Sequence, residues 1–349
     1  MSPQMSIPLP VGKLPAEDLA DLLSRYARVD ERVVVGPGIG ADATAIEFGD
    51  RVLVAKTDPI TFATDEIGWY AVNVNANDVA CLGATPRWFL ATLLLPAGLA
   101  DQSLAEHIFA QLSAACRELG VSLCGGHTEI TYGLQRPIVV GQMLGEVARD
   151  DLVMPGGAQV GDVVVLTKGI AVEATAIVAR ERSVDLAGRF PAEFLARCRD
   201  FLRRPGISVV RDAQIATACA RVHAMHDPTE GGLATGLWEL AQAAGVGLLV
   251  DQEQITVLPE TEALCAEFGL DPLGVIASGA LLIVVAHQDG ERVVARLQEA
   301  GIAARIIGRV VEPGAGVLLK PSRRFRNLRE GQIREFPRFP RDEITRLFE

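Results

Sequence analysis

The segment 56-KTDPITFATDEIGWYAVNVNANDVACLGATP-86 places polar residues where a buried element should be apolar. The residues from Arg51 to Ala55 alternate toward an apolar, β-branched run, and the punctuation Asp58-Pro59 follows it, so we predict a strand with a carboxylate at its tip. Apolar and small residues then recur at helical spacing from Ile67 to Leu82, which predicts a helix. The segment is therefore expected to form a strand followed by a helix.

This helix carries polar residues that packing alone does not explain. Asparagine is less favourable than alanine inside a helix by roughly a few tenths of a kcal/mol, and sequence that breaks local rules often marks a functional site. We interpret the segment as a metal-nucleotide site in which Asp58 and Asp78 supply oxygen ligands to Mg²⁺. The alternative is a solvated helix face with an ordinary cap. The polar residues are Asn73, Asn75, Asn77 and Asp78.

Length and composition limit the class of protein. A chain of 349 residues suggests two domains, and 49% hydrophobic residues with 34 glycines suit a packed α/β protein. The net charge of -11 argues against a nucleic-acid partner, because binding phosphates through charge neutralisation needs a basic surface. An anionic small molecule would need a metal ion or backbone amides to bind here.

Cysteine usage and the N-terminus bear on the compartment. Six cysteines are scattered without a CxxC pair, so neither a zinc site nor a disulfide framework is indicated. The N-terminus lacks a basic region followed by an apolar stretch, and no run approaches the roughly 18 apolar residues of a membrane span. We expect a cytoplasmic protein without a membrane partner.

A glycine-rich loop at 36–43 matches the residue pattern of the dinucleotide fingerprint, GxGxx[G/A]. That fingerprint requires a helix next, but 43–55 reads as two strands around a Gly49-Asp50 turn, which argues against a nicotinamide site. No Walker A loop is present in the sequence either. What remains is a glycine-rich turn that presents one carboxylate, Asp42.

The next elements alternate between strand and helix. The run 88-WFLATLLL-95 predicts a strand buried on both faces or at an interface. The pattern of 101–119 predicts an amphipathic helix closed by a glycine. A strand at 121–124 then ends in Gly-Gly-His-Thr-Glu (125–129), where glycines would let backbone amides approach a ligand. His127 in that loop has a structural and a functional interpretation.

The second half repeats this alternation. A strand at 163–166 runs through Thr-Lys-Gly into a helix at about 171–180 with Glu173 in its first turn, which is an anion site or an ordinary loop. Two helical patterns within 190–221 separate at Pro205-Gly206, and a strand at 222–226 leads into the acidic diglycine loop 227-DPTEGG-232 and a helix. Further strands (247–251, 281–287, 304–311) and helices (260–268, 290–300) predict a mainly antiparallel sheet with helices on one face.

We expect domains at 1–155 and 156–319, because Pro155-Gly156-Gly157 has the composition of a boundary. Residues 320–349 hold nine Lys or Arg against five Asp or Glu, the opposite sign to the whole chain. We predict that they form a basic, surface-packed extension.

Five blocks of the sequence resemble, in order and spacing, the ATP-binding superfamily related to aminoimidazole ribonucleotide synthetase, the PurM-like proteins. This superfamily also includes selenophosphate synthetase, thiamine-monophosphate kinase and the hydrogenase maturation factor HypE. The resemblance covers about residues 10 to 315 and is strongest to HypE, because HypE proteins carry Asp-Pro-Thr and Gly-Gly-Leu at the last block. The Gly-Gly-His-Thr block is more similar to selenophosphate synthetase. The blocks are Gly40-Ala41-Asp42-Ala43, Thr57-Asp58, Asn77-Asp78-Val79-Ala80 with Gly83-Ala84-Thr85-Pro86, Gly125-Gly126-His127-Thr128-Glu129, and Asp227 to Leu233.

The resemblance implies a two-domain α/β subunit whose N-terminal strands meet those of a second subunit in a dimer-wide barrel. ATP would lie at that seam, and its terminal phosphate would pass to an oxygen or selenium nucleophile, often an amide or carbamoyl oxygen. Clustered carboxylates with a metal suit such chemistry, and no Ser-His-Asp arrangement is evident; Cys81 and Cys124 are expected to be small core residues. The resemblance implies Mg²⁺ ligands at Asp42, Asp58 and Asp78, catalytic roles for His127 and Asp227, and ATP contacts from Gly40, Asp42, Lys56, Asn77, Gly125, Gly126, Thr128, Glu129 and Glu230.

HypE proteins are also identified by a terminal cysteine, which receives a carbamoyl group that ATP-dependent dehydration turns into a thiocyanate. This sequence ends in Glu349, and its nearest cysteine is Cys265. We therefore expect a HypE-like paralogue that acts on a separate small molecule. The alternatives are hydrogenase maturation with a partner protein, a kinase like selenophosphate synthetase or thiamine-monophosphate kinase, and a nucleotide-binding protein without turnover.

Overall fold

The computed structural model describes residues 14, 16–61, 65–320 and 333–348. Two β-sheets organise the chain, one in an N-terminal half (16–148) and one in a C-terminal half (163–348). The predicted domain boundaries remain a prediction. Within these described residues, no helix has the length and apolar character needed to cross a membrane.

The N-terminal half is a six-stranded sheet with helices packed on one face. Its order is β1-β2-β3-β6-β4-β5, antiparallel except for the parallel pair β4 and β5. Asp101 caps α3 by accepting the Leu104 N–H. Gly120 ends this helix in the left-handed conformation, as the sequence predicted. The elements are α1 (Ala16–Tyr26), β1 (Val33–Val35), β2 (Thr44–Phe48), β3 (Arg51–Ile60), α2 (Ile67–Cys81), β4 (Thr85–Pro96), α3 (Gln102–Leu119), β5 (Ser122–Thr131) and β6 (Ile138–Ala148).

The predicted strand-to-helix unit is confirmed, although β3 continues through Asp58 to Ile60. Nearly every residue of α2 is buried, because the helix contacts β3 and β6 on one side and elements of the C-terminal half on the other. The alternative interpretation, a solvated helix face, is therefore wrong. The helix is the central contact between the two halves.

The apolar strand at 88–95 is confirmed as part of β4, but its two faces differ. Phe89 and Leu93 are buried in the core shared with α2 and α3, whereas Trp88 is 39% exposed and Leu94 is only partly buried. The opposite face of the sheet is thus left for contact with solvent or another molecule.

The C-terminal half is a seven-stranded sheet of order β13-β12-β9-β11-β7-β10-β8, antiparallel except for the pair β9 and β12. Its strands and helices are β7 (Val163–Thr167), α4 (Val172–Glu181), α5 (Ser183–Leu186), α6 (Ala192–Asp200), α7 (Val210–Cys219), β8 (Val222–His226), α8 (Gly232–Ala244), β9 (Gly247–Asp251), α9 (Pro259–Phe268), β10 (Leu282–Val285), α10 (Gly290–Glu299), β11 (Ala304–Val311), β12 (Val317–Lys320) and β13 (Arg334–Glu335).

Helices cover both faces of this sheet, not one face as expected. The reason lies in β7, whose five residues are all buried: Val163 and Val165 enter one core cluster, and Val164 and Leu166 enter another. A strand that is apolar on both sides needs a cover on each side. The helix α10 packs on one face, and α8 packs on the other.

The last described segment, 333–348, lies against the C-terminal half. Its β13 pairs with β12, and Phe336 is buried in the core. Asp342 accepts a hydrogen bond from the Gly231 N–H (2.7 Å) in the loop after β8. The predicted basic extension spans 320–349, and its part from 321 to 332 lies outside the described residues.

Candidate functional site

Carboxylates from both halves meet where α2 faces the loop after β8. Asp42 comes from the glycine-rich turn before β2, Asp78 from α2 and Asp227 from the end of β8. The side-chain ligand atoms of Asp42, Cys81 and Asp227 lie within 4.8 Å of one another. Two residues far apart in sequence are joined directly, because the Cys81 thiol donates to Asp227 Oδ1 at 3.4 Å.

Lys56 on β3 neutralises part of this charge. Its Nζ lies 3.0 Å from Asp78 Oδ2 and 3.8 Å from Asp58 Oδ2. Burial opposes the charge on Lys56, but the carboxylates of Asp78, Asp58 and Asp42 together outweigh burial and raise its pKa. Lys56 is therefore a permanent cation between the predicted metal ligands.

The buried carboxyl groups still repel one another. Burial raises the pKa of Asp78, Lys56 lowers it, and Asp227 and Asp42 raise it further. Burial and then the charge of Asp42 raise the pKa of Asp227 to about 7. Asp227 Oδ2 is buried and, among the described residues, has no hydrogen-bond partner, so it is ready to accept a ligand.

This donor set fits Mg²⁺. Mg²⁺ prefers hard oxygen ligands and is usually held by one or two carboxylates together with substrate phosphates. Cys81 adds no soft thiolate, because burial raises the pKa of its thiol and the nearby carboxylates raise it further. The orphan oxygen of Asp227 beside Asp42 and Asp78 is the observation that supports the fit.

His226 was missed by the sequence analysis, although it directly precedes Asp227. Its Nδ1 lies 2.8 Å from Asp42 Oδ1, and its Nε2 lies 3.0 Å from Glu239 Oε2 on α8. Burial lowers the pKa of His226, but the two carboxylates outweigh this effect and raise it well above its usual range. The imidazolium thus ties Asp42 of one half to α8 of the other.

The unusual asparagines of α2 are explained by backbone hydrogen bonds. Asn73 and Asn75 donate to carbonyls one turn earlier, and Asn75 also reaches the Asp58 carbonyl at 3.3 Å. Asn77 donates to the Ile207 carbonyl and accepts from the Val209 N–H, both at 2.8 Å. The Asn77 amide, a predicted ATP contact, therefore joins the two halves in this structure.

Gly40, another predicted ATP contact, lies against α8. It has a φ of +72°, and a Cβ atom there would lie 2.6 Å from the Glu239 carbonyl oxygen. The glycine therefore allows the turn that carries Asp42 to approach α8 closely. Among the other predicted contacts, Glu230 is exposed in the same loop as Asp227.

The block 125–129 is not a loop at a strand end, as predicted, but the middle of the edge strand β5. The register of β5 against β4 shifts between Phe89 and Leu90, where Cys124 is the extra residue, just before the two glycines. Gly126 then lies level with Ala91, and a Cβ atom on Gly126 would lie 2.0 Å from the Ala91 oxygen. The diglycine thus permits a bulged strand. Asp58 lies in the same row, but three strands away across β6 and β4, a distance of about 14 Å.

Within one chain, the structure therefore does not bring 125–129 to the carboxylate cluster. His127 and Glu129 are exposed and lie 3.6 Å apart, as measured between Nε2 and Oε2. Cys124 is also exposed, so the expectation that it is a core residue is wrong, whereas Cys81 is buried as expected. The block comprises Gly125, Gly126, His127, Thr128 and Glu129.

Known proteins resemble the chain over most of its length. A family model described as AIR synthase related protein, N-terminal domain, matches residues 40–147, and the corresponding C-terminal domain model matches 159–320. The carbamoyl dehydratase HypE of Cupriavidus necator is 30% identical over 280 residues, which are 78% of this chain and 76% of that protein. A putative hydrogenase expression/formation protein of Methanocaldococcus jannaschii is 27% identical over 320 residues, which are 88% and 91% of the two chains.

Solved structures with the same fold include HypE and ThiL. HypE in complex with ATP matches with a TM-score of 0.70 at 22% identity and covers 93% of this chain and 91% of that one. The HypE–HypF complex matches with a TM-score of 0.73 at 20% identity, covering 93% and 100%. ThiL complexed with AMPPCP and TMP matches with a TM-score of 0.71 at 21% identity, covering 94% and 99%. The predicted fold class is confirmed.

Proposed function

Because the chain belongs to the AIR synthase related protein family and is HypE-like, we propose that it is an enzyme that uses Mg-ATP to activate the oxygen of a carbamoyl or amide group. The observation that carries this proposal is the carboxylate cluster. Asp42, Asp78 and Asp227 come from both matched regions and converge around Lys56 at the seam between the two halves.

The composition of the cluster suits phosphoryl transfer. Such a reaction needs little covalent chemistry from the protein and much compensation of negative charge. Asp42, Asp58 and Asp78 would hold Mg²⁺, which would neutralise charge on the ATP phosphates when bound. Lys56 compensates part of the negative charge of Asp58 and Asp78. Asp227 adds an oxygen without a hydrogen-bond partner among the described residues to the site.

The relatives direct the proposal to a carbamoyl substrate. Relatives of 30% and 31% identity are carbamoyl dehydratases. A carbamoyl oxygen that receives the terminal phosphate of ATP becomes a good leaving group, and its loss as phosphate is a dehydration. The substrate is a small molecule, or a group delivered in hydrogenase maturation by a partner protein, as the HypE–HypF complex suggests for this family.

We also propose a homodimer. The edge strand β5 has no partner on its outer side among the described strands, and Ile130 on it is 63% exposed. An unpaired strand of this length is a template for pairing with another chain. Dimerisation along β5 would place the block 125–129 at the interface between the subunits.

Calorimetric titration with ATP tests the core of the proposal. We expect ATP to bind in the presence of Mg²⁺ and to bind much more weakly with EDTA, since the cluster is acidic and repels a naked triphosphate. Phosphate release with a carbamoyl compound present then separates an enzyme from a nucleotide-binding protein without turnover. Binding that is indifferent to Mg²⁺ would contradict the proposed site.

A further inference from the structure

The loop from β7 to α4 is held in an uncommon backbone conformation. Lys168 and Ala171 both have a φ of +57°, which costs a residue with a Cβ about 1 kcal/mol or more. The buried ammonium of Lys168 donates to the Gly279 carbonyl at 3.0 Å and pairs with Asp212 at 3.3 Å. The surrounding structure thus holds this loop firmly, and the loop places Glu173 in the first turn of α4.

Glu173 is a buried carboxyl group with an unused oxygen. The residue is 6% exposed, and within the described part of the chain its Oε2 has no hydrogen-bond partner. Ser278 donates a hydrogen bond to the carboxyl group. A buried polar atom without a partner is costly, by about 1–3 kcal/mol, so each one calls for an explanation. A ligand that donates a hydrogen bond to this oxygen would explain why it has no partner within the protein.

The surroundings of Glu173 connect it to the carboxylate cluster. Burial raises the pKa of Glu173 to about 8, against the hydrogen bond from Ser278, and the charges of Glu230, Asp342 and Asp227 act in the same direction as burial. Asp227 and Glu230 lie in the loop after β8. Asp342 lies in the segment 333–348, which is hydrogen-bonded to this loop at Gly231. Glu173 therefore lies within electrostatic range of the proposed phosphoryl-transfer site.

The N-terminal half contributes Tyr70 to the same place. This phenol on α2 is 2% exposed. Burial is the main cause that raises its pKa, and the charge of Glu173 is the next. Tyr70 and Glu173 thus lie within electrostatic range of each other at the seam that also contains Asp78 and Asp227.

We propose that Glu173 is a catalytic residue that contacts the carbamoyl or amide group and accepts a proton from its nitrogen. This inference rests on the proposed function. The carbonyl oxygen forms a bond to the γ-phosphorus, the bond from that phosphorus to the bridging oxygen breaks, and ADP leaves with the electron pair. The N–H proton passes to the Glu173 carboxylate as the C=N double bond forms, which yields a phosphorylated imidate.

The environment of Glu173 suits this role. A general base is most effective when its pKa lies near the working pH, and burial brings this carboxyl group there. The unpaired Oε2 is the proton acceptor. Lys168 and Ala171 keep the start of α4 in position, so the carboxyl group does not need to reorganise during the reaction.

The test compares Glu173→Gln with the wild-type protein, using S-ethyl thiocarbamate and Mg-ATP and measuring phosphate release. Glutamine resembles the protonated form of Glu173 in shape and charge, so the variant is expected to fold and to bind Mg-ATP as the wild type does. We expect kcat to fall by about 10²- to 10⁴-fold. The wild-type kcat should rise with pH toward 8, and this rise should be absent in the variant.

Glu181→Gln is the matched control, because Glu181 is on the same helix and exposed; it should keep the wild-type kcat and pH profile. Ser278→Ala removes the hydrogen bond that lowers the pKa of Glu173, so its pH profile should shift to higher pH. An unchanged kcat in Glu173→Gln, or an unshifted profile in Ser278→Ala, would overturn the inference. A wild-type protein that binds Mg-ATP but releases no phosphate with carbamoyl compounds would instead overturn the proposed function, and the inference with it.

Discussion

Replacing Asn77 by alanine is expected to destabilise the contact between the two halves. The change leaves the Ile207 carbonyl and the Val209 N–H without their partners in a buried environment. Each unpaired group costs about 1–3 kcal/mol, and the better helix propensity of alanine returns roughly 0.5 kcal/mol. The net loss in the free energy of unfolding is therefore about 2–5 kcal/mol.

Asn73→Ala is the control for this experiment. Asn73 is also buried on α2, but its amide donates only to the Trp69 carbonyl within the same helix. That carbonyl has a backbone partner in the helix, so the expected loss is within about 1 kcal/mol. Thermal unfolding followed by tryptophan fluorescence should show a several-fold larger fall in Tm for Asn77→Ala than for Asn73→Ala.

The affinity for Mg-ATP, measured below the unfolding transition, distinguishes the two interpretations of Asn77. If its amide only joins the halves, the folded Asn77→Ala variant should bind Mg-ATP about as the wild type does. A variant that keeps wild-type stability but loses Mg-ATP affinity would refute this reasoning and make the amide a nucleotide ligand.

Three further predictions follow from the same structure. Asp78→Asn should abolish Mg-dependent ATP binding in calorimetry without unfolding the protein, because it removes a buried charge from the cluster, whereas Asp50→Asn in an exposed turn should have no effect. Light scattering should give the mass of a dimer, and Ile130→Lys on β5 should give a monomer while Leu99→Lys, at another exposed site, should not; a monomeric wild type would contradict the dimer. Because the pKa of Glu173 is raised from 4.5 to about 8, the folded state binds the proton more tightly, so its contribution to stability is present below about pH 4.5 and is lost as pH rises through 8. Chemical unfolding across this range should therefore show a smaller loss of stability for Glu173→Gln than for the wild type, and equal losses would exclude the shift.

Local patterns were enough to predict most elements of the fold. Periodicity located α2 and α3, and the predicted end of α3 at Gly120 is confirmed. The acidic residues that meet at the seam were also named from the sequence: Asp78 because its helix breaks the local pattern, and Asp42 and Asp227 because of the family resemblance. These features depend on neighbours in sequence.

The errors concern features that depend on long-range pairing. A diglycine suits a ligand loop as well as a bulged strand, and only the pairing of β5 with β4 decides between them. His226 carries no local signal, because its partners Asp42 and Glu239 lie 184 and 13 residues away. The same holds for Asn77, whose amide meets backbone groups about 130 residues further along the chain.

The excess of carboxyl groups over cations at the seam favours the binding of metal ions there. Five carboxyl groups, those of Asp42, Asp58, Asp78, Asp227 and Glu239, surround two cations, Lys56 and His226. Buried carboxylates without compensation are strongly destabilising, so a protein that needed only a stable seam would do better with apolar residues of similar size. Lys56 and His226 hold the carboxyl groups in place without neutralising all of them. In the proposed function, a divalent cation bound together with the nucleotide phosphates would supply the missing positive charge.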